Sequence, residues 1–284
     1  MIKLPTFLVI GAAKSGTTSL YYYLKQHPKI FLPKIKEINY FAFKGQKAGR
    51  FWAKTLEEYE AYFTDTGDFD VVGEVTPLYF STKGTPERIK KLIPNAKIIA
   101  ILRNPIDRAY SHYNMYVRAG RENRTVEEAL MDINSVYTRV GFYFKNLSKY
   151  FALFDSKNIK ILFFDELQSE PKKLMKALYE FLEVDANISL DFTVKHASGY
   201  VPKNKYLNKI LKSDFIRFKL KQLIPQKLIG LVLKLKNCYS TKPPSLPNEL
   251  RSALISIYKD DILNLQEYLQ KDLSRWIKSV ESYE

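Results

Sequence analysis

Hydrophobic residues along this chain fall into short unbroken runs, separated by longer stretches in which apolar positions recur every three or four residues. The runs Thr6 to Ile10, Phe69 to Gly73, Lys97 to Leu102 and Asn158 to Phe164 read as strands hidden on both faces, because a strand with one wet face would alternate instead. Helical spacing occupies the intervals at Gly16 to Gln26, around Pro86 to Leu92 and from Ile106 to Arg118, the last placed after a strand-breaking Asn104-Pro105. Strands alternating with helices predict an α/β fold of three layers, with a central parallel sheet covered on both sides. From Lys203 onward the pattern changes to basic amphipathic helices around the break TKPPSLP at Thr241 to Pro247, and a final helix is expected over Glu249 to Ile277. The expected organisation is one domain, with an α/β core at 1–202 and a helical extension at 203–284 packed on that core.

At 284 residues and 46% hydrophobic content the chain can bury a substantial core. It contains no run of about 18 apolar residues, so no membrane span is expected. The first strand begins within a few residues of Met1 without a basic and apolar leader, which makes the expected location cytoplasmic. The single cysteine, Cys238, cannot form an internal disulfide and is read as a small apolar residue. The balance of 45 basic to 30 acidic residues, net +15, favours anionic partners: a small-molecule donor, an acidic polysaccharide, or a peripheral contact with a membrane surface. Nucleic acid is not expected, since no helix-turn-helix, zinc finger or aromatic RNA-binding strand is present. The sequence leaves the oligomeric state open.

The candidate chemistry begins at TFLVI-GAAKSGTTSL, Thr6 to Leu20. A strand, a tight loop of small residues and a helix start leave unpaired backbone N–H groups and the positive end of a helix dipole aimed at one place, which suits a phosphate. A Walker nucleotide triphosphatase would carry G-x-x-x-x-G-K-[ST]. Here Gly11 and Gly16 keep the glycine spacing, but Thr17 follows Gly16 and the lysine, Lys14, stands in mid-loop. The KIIAIL strand ends in Arg103 where a Walker enzyme would place a metal-binding aspartate, and no metal is implied. Arginine at the carboxyl end of a parallel strand suits phosphate oxygens, and Ser111 lies on the second turn of the following helix. Two anion pockets without a metal aspartate point to a nucleotide carrying phosphates on separate ribose positions. Ser15, Thr17 and Thr18 supply hydroxyls in or beside the first pocket, and Ala13 belongs to its backbone.

These segments resemble the sulfotransferases that use 3′-phosphoadenosine 5′-phosphosulfate (PAPS). GAAKSGTTSLYYYLKQHPKIFLPKIKEINYF is similar to that family's 5′-phosphosulfate loop, and RNPIDRAYSHY to its 3′-phosphate motif, with Arg103 and Ser111 at the matching spacing. GEVTPLYF, GFYFKNLSKYFALF, ILFFDELQSEPKKLMKALYEFL and HASGY extend the likeness over roughly the first two thirds of the chain, nearest the heparan-sulfate and bacterial carbohydrate branch. The resemblance implies a P-loop-like fold and a sulfuryl transfer from PAPS to a hydroxyl or amine, with adenosine 3′,5′-bisphosphate as product and a glycan, itself anionic, as the expected acceptor. It implies that Lys14 stabilises the leaving phosphate, that Glu74 in the E-x-[ST]-P-x-Y-F segment is the general base, and that Lys36 and Glu37 match a KE pair touching acceptor or sulfate. It also implies that Ser198 and Gly199 place N–H groups on the 3′-phosphate. Tyr143 and Phe144 are candidates for the cleft lining, although aromatics at helical spacing are more often core. Val75 departs from the lysine that relatives often carry beside Glu74. A histidine base, at His27, His112 or His196, competes with Glu74. The other readings are a magnesium-dependent small-molecule ATP kinase and a non-catalytic nucleotide- or polyanion-binding module.

Overall fold

A computed structural model describes residues 4–43, 53–193, 201–202 and 240–278. Its centre is a five-stranded sheet in the order β2-β3-β1-β4-β5, made of β1 (Phe7–Gly11), β2 (Ile30–Phe31), β3 (Val71–Val75), β4 (Lys97–Leu102) and β5 (Ile159–Phe163). Every neighbouring pair in it is parallel. A parallel arrangement needs crossover connections, supplied here by helices, of which those at 17–24, 85–92 and 105–119 are the ones the sequence spacing predicted. The principal ones are α1 (Thr17–Leu24), α3 (Thr85–Leu92), α4 (Pro105–Ala119), α7 (Tyr143–Leu153) and α9 (Pro171–Leu182). Shorter helices are α2 (Leu56–Glu60), α5 (Val126–Met131), α6 (Val136–Arg139) and α8 (Phe164–Ser169).

Alternate residues of the strands feed two separate cores. Phe7, Val9, Ile99, Ile101 and Leu162 pack with Leu20, Leu24, Leu174 and Leu178 from α1 and α9. Leu8, Ile10, Ile98, Ala100 and Leu102 face the other way, onto Ile106, Tyr150 and the C-terminal helix Asn248–Leu269. Both faces of the central strands β1 and β4 are thereby dry, which is why FLVI and IIAIL are unbroken apolar runs. The C-terminal helix contributes Leu250, Leu254, Tyr258, Ile262 and Leu265 to this second core. Its Asp261 accepts from the Phe144 and Lys145 backbone N–H groups at 2.9 and 3.0 Å, capping the first turn of α7. The helix closes at Leu269, earlier than Ile277, with Gln270 in the left-handed conformation, and a separate 3₁₀ turn carries the buried Trp276. Among the described residues no helix is long and apolar enough to cross a membrane.

β1 lies in the middle of the sheet, and the chain leaves it toward β3 on one side and β4 on the other. That reversal opens a crevice beyond the carboxyl ends of β1 and β4, the place where ligands bind in open α/β sheets. β3 runs through Val75, two residues past the expected end at Gly73. Gly73 does not break the strand; a Cβ there would fall 2.0 Å from the Phe7 ring, so glycine makes room for an aromatic side chain of β1.

Candidate active site

The crevice is a cleft of about 1250 Å³ whose lining includes Ala13, Lys14, Gly16, Thr17, Thr18, Lys36, Glu37, Arg103 and Ser111. The loop after β1 forms one wall. Gly16, at φ 94, is the N-cap of α1, and a Cβ there would meet the Phe164 ring at 2.9 Å. The open N–H groups of the first α1 turn, with Thr17 and Thr18, therefore face the cleft without a side chain at the cap. Lys14 is held at φ 71, a left-handed conformation that costs a non-glycine residue about 1–3 kcal/mol and clusters at functional sites. Burial, and then the nearby Arg118, Arg103 and Lys36, bring its ammonium down to about 8, while Glu37 opposes the shift. A site that crowds cations until one of them is close to losing its proton is waiting for an anion.

Ser15 is an exception within the loop. It is fully buried, its N–H donates to the Ala12 carbonyl at 3.2 Å, and it does not line the cleft. Its expected ligand contact gives way to a structural role, because the side chain between Lys14 and Gly16 turns into the core.

The second wall starts where β4 ends. Arg103 emerges at the carboxyl edge, with its guanidinium 4.9 Å from the centre of the Phe164 ring. Asn104 caps α4 by accepting from the Ile106 and Asp107 N–H groups, which aims Ser111 at the same cleft. Tyr143 was expected to line this space. It is instead fully buried and donates to the Arg103 carbonyl at 2.7 Å, its phenol pushed up to about 12 by burial. It supports the arginine from below rather than meeting a substrate. Phe144 belongs to the partly buried apolar layer, with its ring 6.1 Å from Tyr268.

The two candidate glutamates occupy opposite situations. Glu74 is 1% exposed and does not line the cleft. Oε1 accepts from Thr76 and from Tyr79 at 2.7 Å, and Oε2 accepts from Tyr59 at 2.7 Å. Burial raises its pKa against the opposing pull of these three hydroxyls. The expectation that Glu74 emerges at a strand end is corrected by the longer β3, which keeps the carboxylate inside the protein.

Of the two glutamates, Glu37 reaches the cleft, with its side chain 53% exposed; Asp107, which also lines it, is paired with Arg251 at 2.6 Å. It sits at φ 67, its N–H donates to the Val75 carbonyl at 3.1 Å, and the Asn39 amide donates to its own carbonyl. Lys36 Nζ joins the walls, lying 3.1 Å from Glu37 Oε1, 3.1 Å from Thr18 Oγ1 and 3.4 Å from Thr17 Oγ1. Phe164 and Asn39 are supporting residues that sequence reasoning missed. The aromatic directly after the β5 run was the available signal for the first; nothing marked the second.

Of the histidines, His27 donates from Nε2 to the Asp185 carbonyl at 2.9 Å and accepts at Nδ1 from the Lys29 N–H, in a structural position away from the cleft lining. His112 does line the cleft. His196, Ser198 and Gly199 lie outside the described residues, as do Lys203 to Asn237 and Cys238.

A sulfotransferase domain model matches residues 4–226, and the chain belongs to that family. It is 28% identical over 299 aligned positions to bifunctional heparan sulfate N-deacetylase/N-sulfotransferase 4 of Mus musculus, an alignment that takes in 97% of this chain and 31% of the mouse protein. It is 37% identical over 125 residues, 44% of the chain and 26% of the relative, to the membrane-associated sulfotransferase kil1 of Dictyostelium discoideum. The chain thus spans less than a third of the length of these curated relatives. A solved sulfotransferase from Alicyclobacillus acidocaldarius shares the fold at a TM-score of 0.73, with 24% identity over 98% of this chain and 100% of its own. The chain therefore carries a sulfotransferase domain, and nothing in these likenesses supports the kinase reading.

Proposed function

We propose that the cleft transfers the sulfuryl group of PAPS to a hydroxyl or amine of a carbohydrate acceptor, with Glu37 rather than Glu74 as general base. The observation that carries this reading is the arrangement of Lys14, Lys36 and Arg103 around one cleft into which Glu37 presents the carboxylate. The α1 N-terminus, Lys14, Thr17 and Thr18 take the 5′ end of the donor; Arg103 and Ser111 take the 3′-phosphate. Glu37 accepts the acceptor's proton as the acceptor oxygen or nitrogen bonds to sulfur. The sulfur–oxygen bond to the 5′-phosphate breaks, and its electron pair stays on the phosphate, where Lys14 meets the new charge. Lys36, bridging Glu37 and the threonines, keeps base and donor in register.

The carbohydrate class is supported by the heparan sulfate relatives and by the net charge of +15, which draws an acidic polymer. The testing experiment incubates the full chain with radiolabelled PAPS and a panel of oligosaccharides. Label in N-desulfated or undersulfated heparan-type chains supports the reading, and label in small alcohols alone refutes the acceptor class.

A further inference from the structure

Arg108 on α4 is fully buried directly beneath the cleft, and no carboxylate pairs with it among the described residues. Its Nη2 donates to the Tyr137 carbonyl in a close contact, Nη1 lies 3.4 Å from His112 Nδ1, and Nε has no partner. Tyr143 and Tyr258, its other neighbours, are neutral. A buried cation among neutral groups is costly unless something nearby draws on its charge.

The imidazole one helical turn along both meets this guanidinium and lines the cleft. A guanidinium can donate and cannot accept, so His112 Nδ1 must be the acceptor, and the ring proton resides on Nε2. The ring is clamped edge-on by Tyr116 at 5.3 Å and Tyr137 at 5.4 Å. It is 5% exposed, it lines the cleft, and Nε2 has no hydrogen-bond partner among the described residues. One fixed N–H is thereby presented to the cleft that Lys14 also lines.

We propose that His112 is a neutral hydrogen-bond donor to the sulfuryl oxygens during transfer, its tautomer set and its N–H polarised by Arg108. It neither gains nor loses a proton in the reaction, which separates this role from that of a histidine base. The charged groups facing the ring are Arg108 from its own helix and Lys14 from the loop, both cationic, and with burial they hold the imidazole down to about 3. The ring therefore stays neutral across the working range. The inference rests on the sulfotransfer reading above.

The test compares three substitutions in the full chain. Gln carries an N–H near the place of Nε2, whereas Asn carries one near the place of Nδ1. His112→Gln is expected to keep much of kcat, while His112→Asn and His112→Phe lose ~100-fold or more, as when a transition-state donor is removed. The KM for PAPS stays within about twofold, because the lost contact belongs to the transition state. Nitrogen NMR of the wild-type ring, with adenosine 3′,5′-bisphosphate bound, is expected to show the proton on Nε2 and no titration between neutral and mildly acid pH. Full activity in His112→Phe, equal activity in the Asn and Gln variants, or a proton on Nδ1 would each overturn the proposal. Wild-type protein that transfers no sulfate to any acceptor would instead defeat the parent reading, so the two failures are distinguishable.

Discussion

Lys36 Nζ stands 3.1 Å from Glu37 Oε1 and reaches the Thr17 and Thr18 hydroxyls with its remaining donors. One ammonium therefore connects the carboxylate that would deprotonate the acceptor to the loop that would hold the donor. Glu37→Gln should lower kcat by ~100- to 10,000-fold, the range for a general base, with binding of adenosine 3′,5′-bisphosphate nearly unchanged by calorimetry. Retained turnover in that variant would remove Glu37 from the mechanism.

Glu74→Gln should behave differently. Tyr59, Tyr79 and Thr76 all donate to this carboxylate, and a carboxamide cannot accept from all three at once. The expected result is a loss of about 1–3 kcal/mol in stability from mispaired buried groups, read in denaturant titrations, with smaller effects on kcat than those of Glu37→Gln. Tyr79 also accepts from the Phe41 N–H at 3.2 Å, so whatever activity is lost should follow displacement of the 37–41 segment.

Nucleotide affinity should depend on pH through Lys14. Its ammonium is held down to about 8 by burial and by the neighbouring Arg118, Arg103 and Lys36, and a bound phosphate stabilises the protonated form. Below 8 the lysine is already charged and affinity is flat; above 8 binding must take up a proton, so affinity falls as pH rises. Calorimetry in buffers of different ionisation enthalpy checks both the slope and the proton uptake. Lys14→Met should abolish the slope and reduce kcat by ~100- to 1000-fold.

Arg103→Lys should cost selectivity rather than fold. The guanidinium rests on Phe164, and a lysine would keep charge but lose the stacked planar fork. Charged hydrogen bonds are worth about 1.5–3 kcal/mol, so PAPS should lose ~10- to 100-fold in kcat/KM while adenosine 5′-phosphosulfate, which has no 3′-phosphate, changes little. Equal losses on both donors would contradict the assignment of Arg103 to the 3′-phosphate.

Much of this architecture could be read from the chain because its logic is local. Four of the five sheet strands are short runs dominated by apolar residues, and Lys14, Thr17, Arg103 and Ser111 follow strand ends and helix starts that sequence spacing marks. The misplacements have a common origin in three-dimensional packing. Gly73 looks like a strand terminator until the Phe7 ring is seen filling its missing Cβ; β3 runs on to Val75, and Glu74 is enclosed by Thr76, Tyr59 and Tyr79. Ser15 and Tyr143 are of residue types that occur equally at a cleft and under it, and only the inward turn of the loop and the packing of α7 separate the two. β2 has two residues, too few for any periodicity to register.

The cleft draws its lining from Lys14 and Thr17, from Lys36 and Glu37, from Arg103 and Ser111, and from Phe192, brought together by strands that meet in an order different from their order of synthesis. No continuous stretch of the polypeptide holds both walls. Binding competence should therefore arise late in refolding and disappear in a single step with the sheet, so uptake of a fluorescent adenosine bisphosphate would serve as a direct monitor of whether the entire molecule has reached its native state.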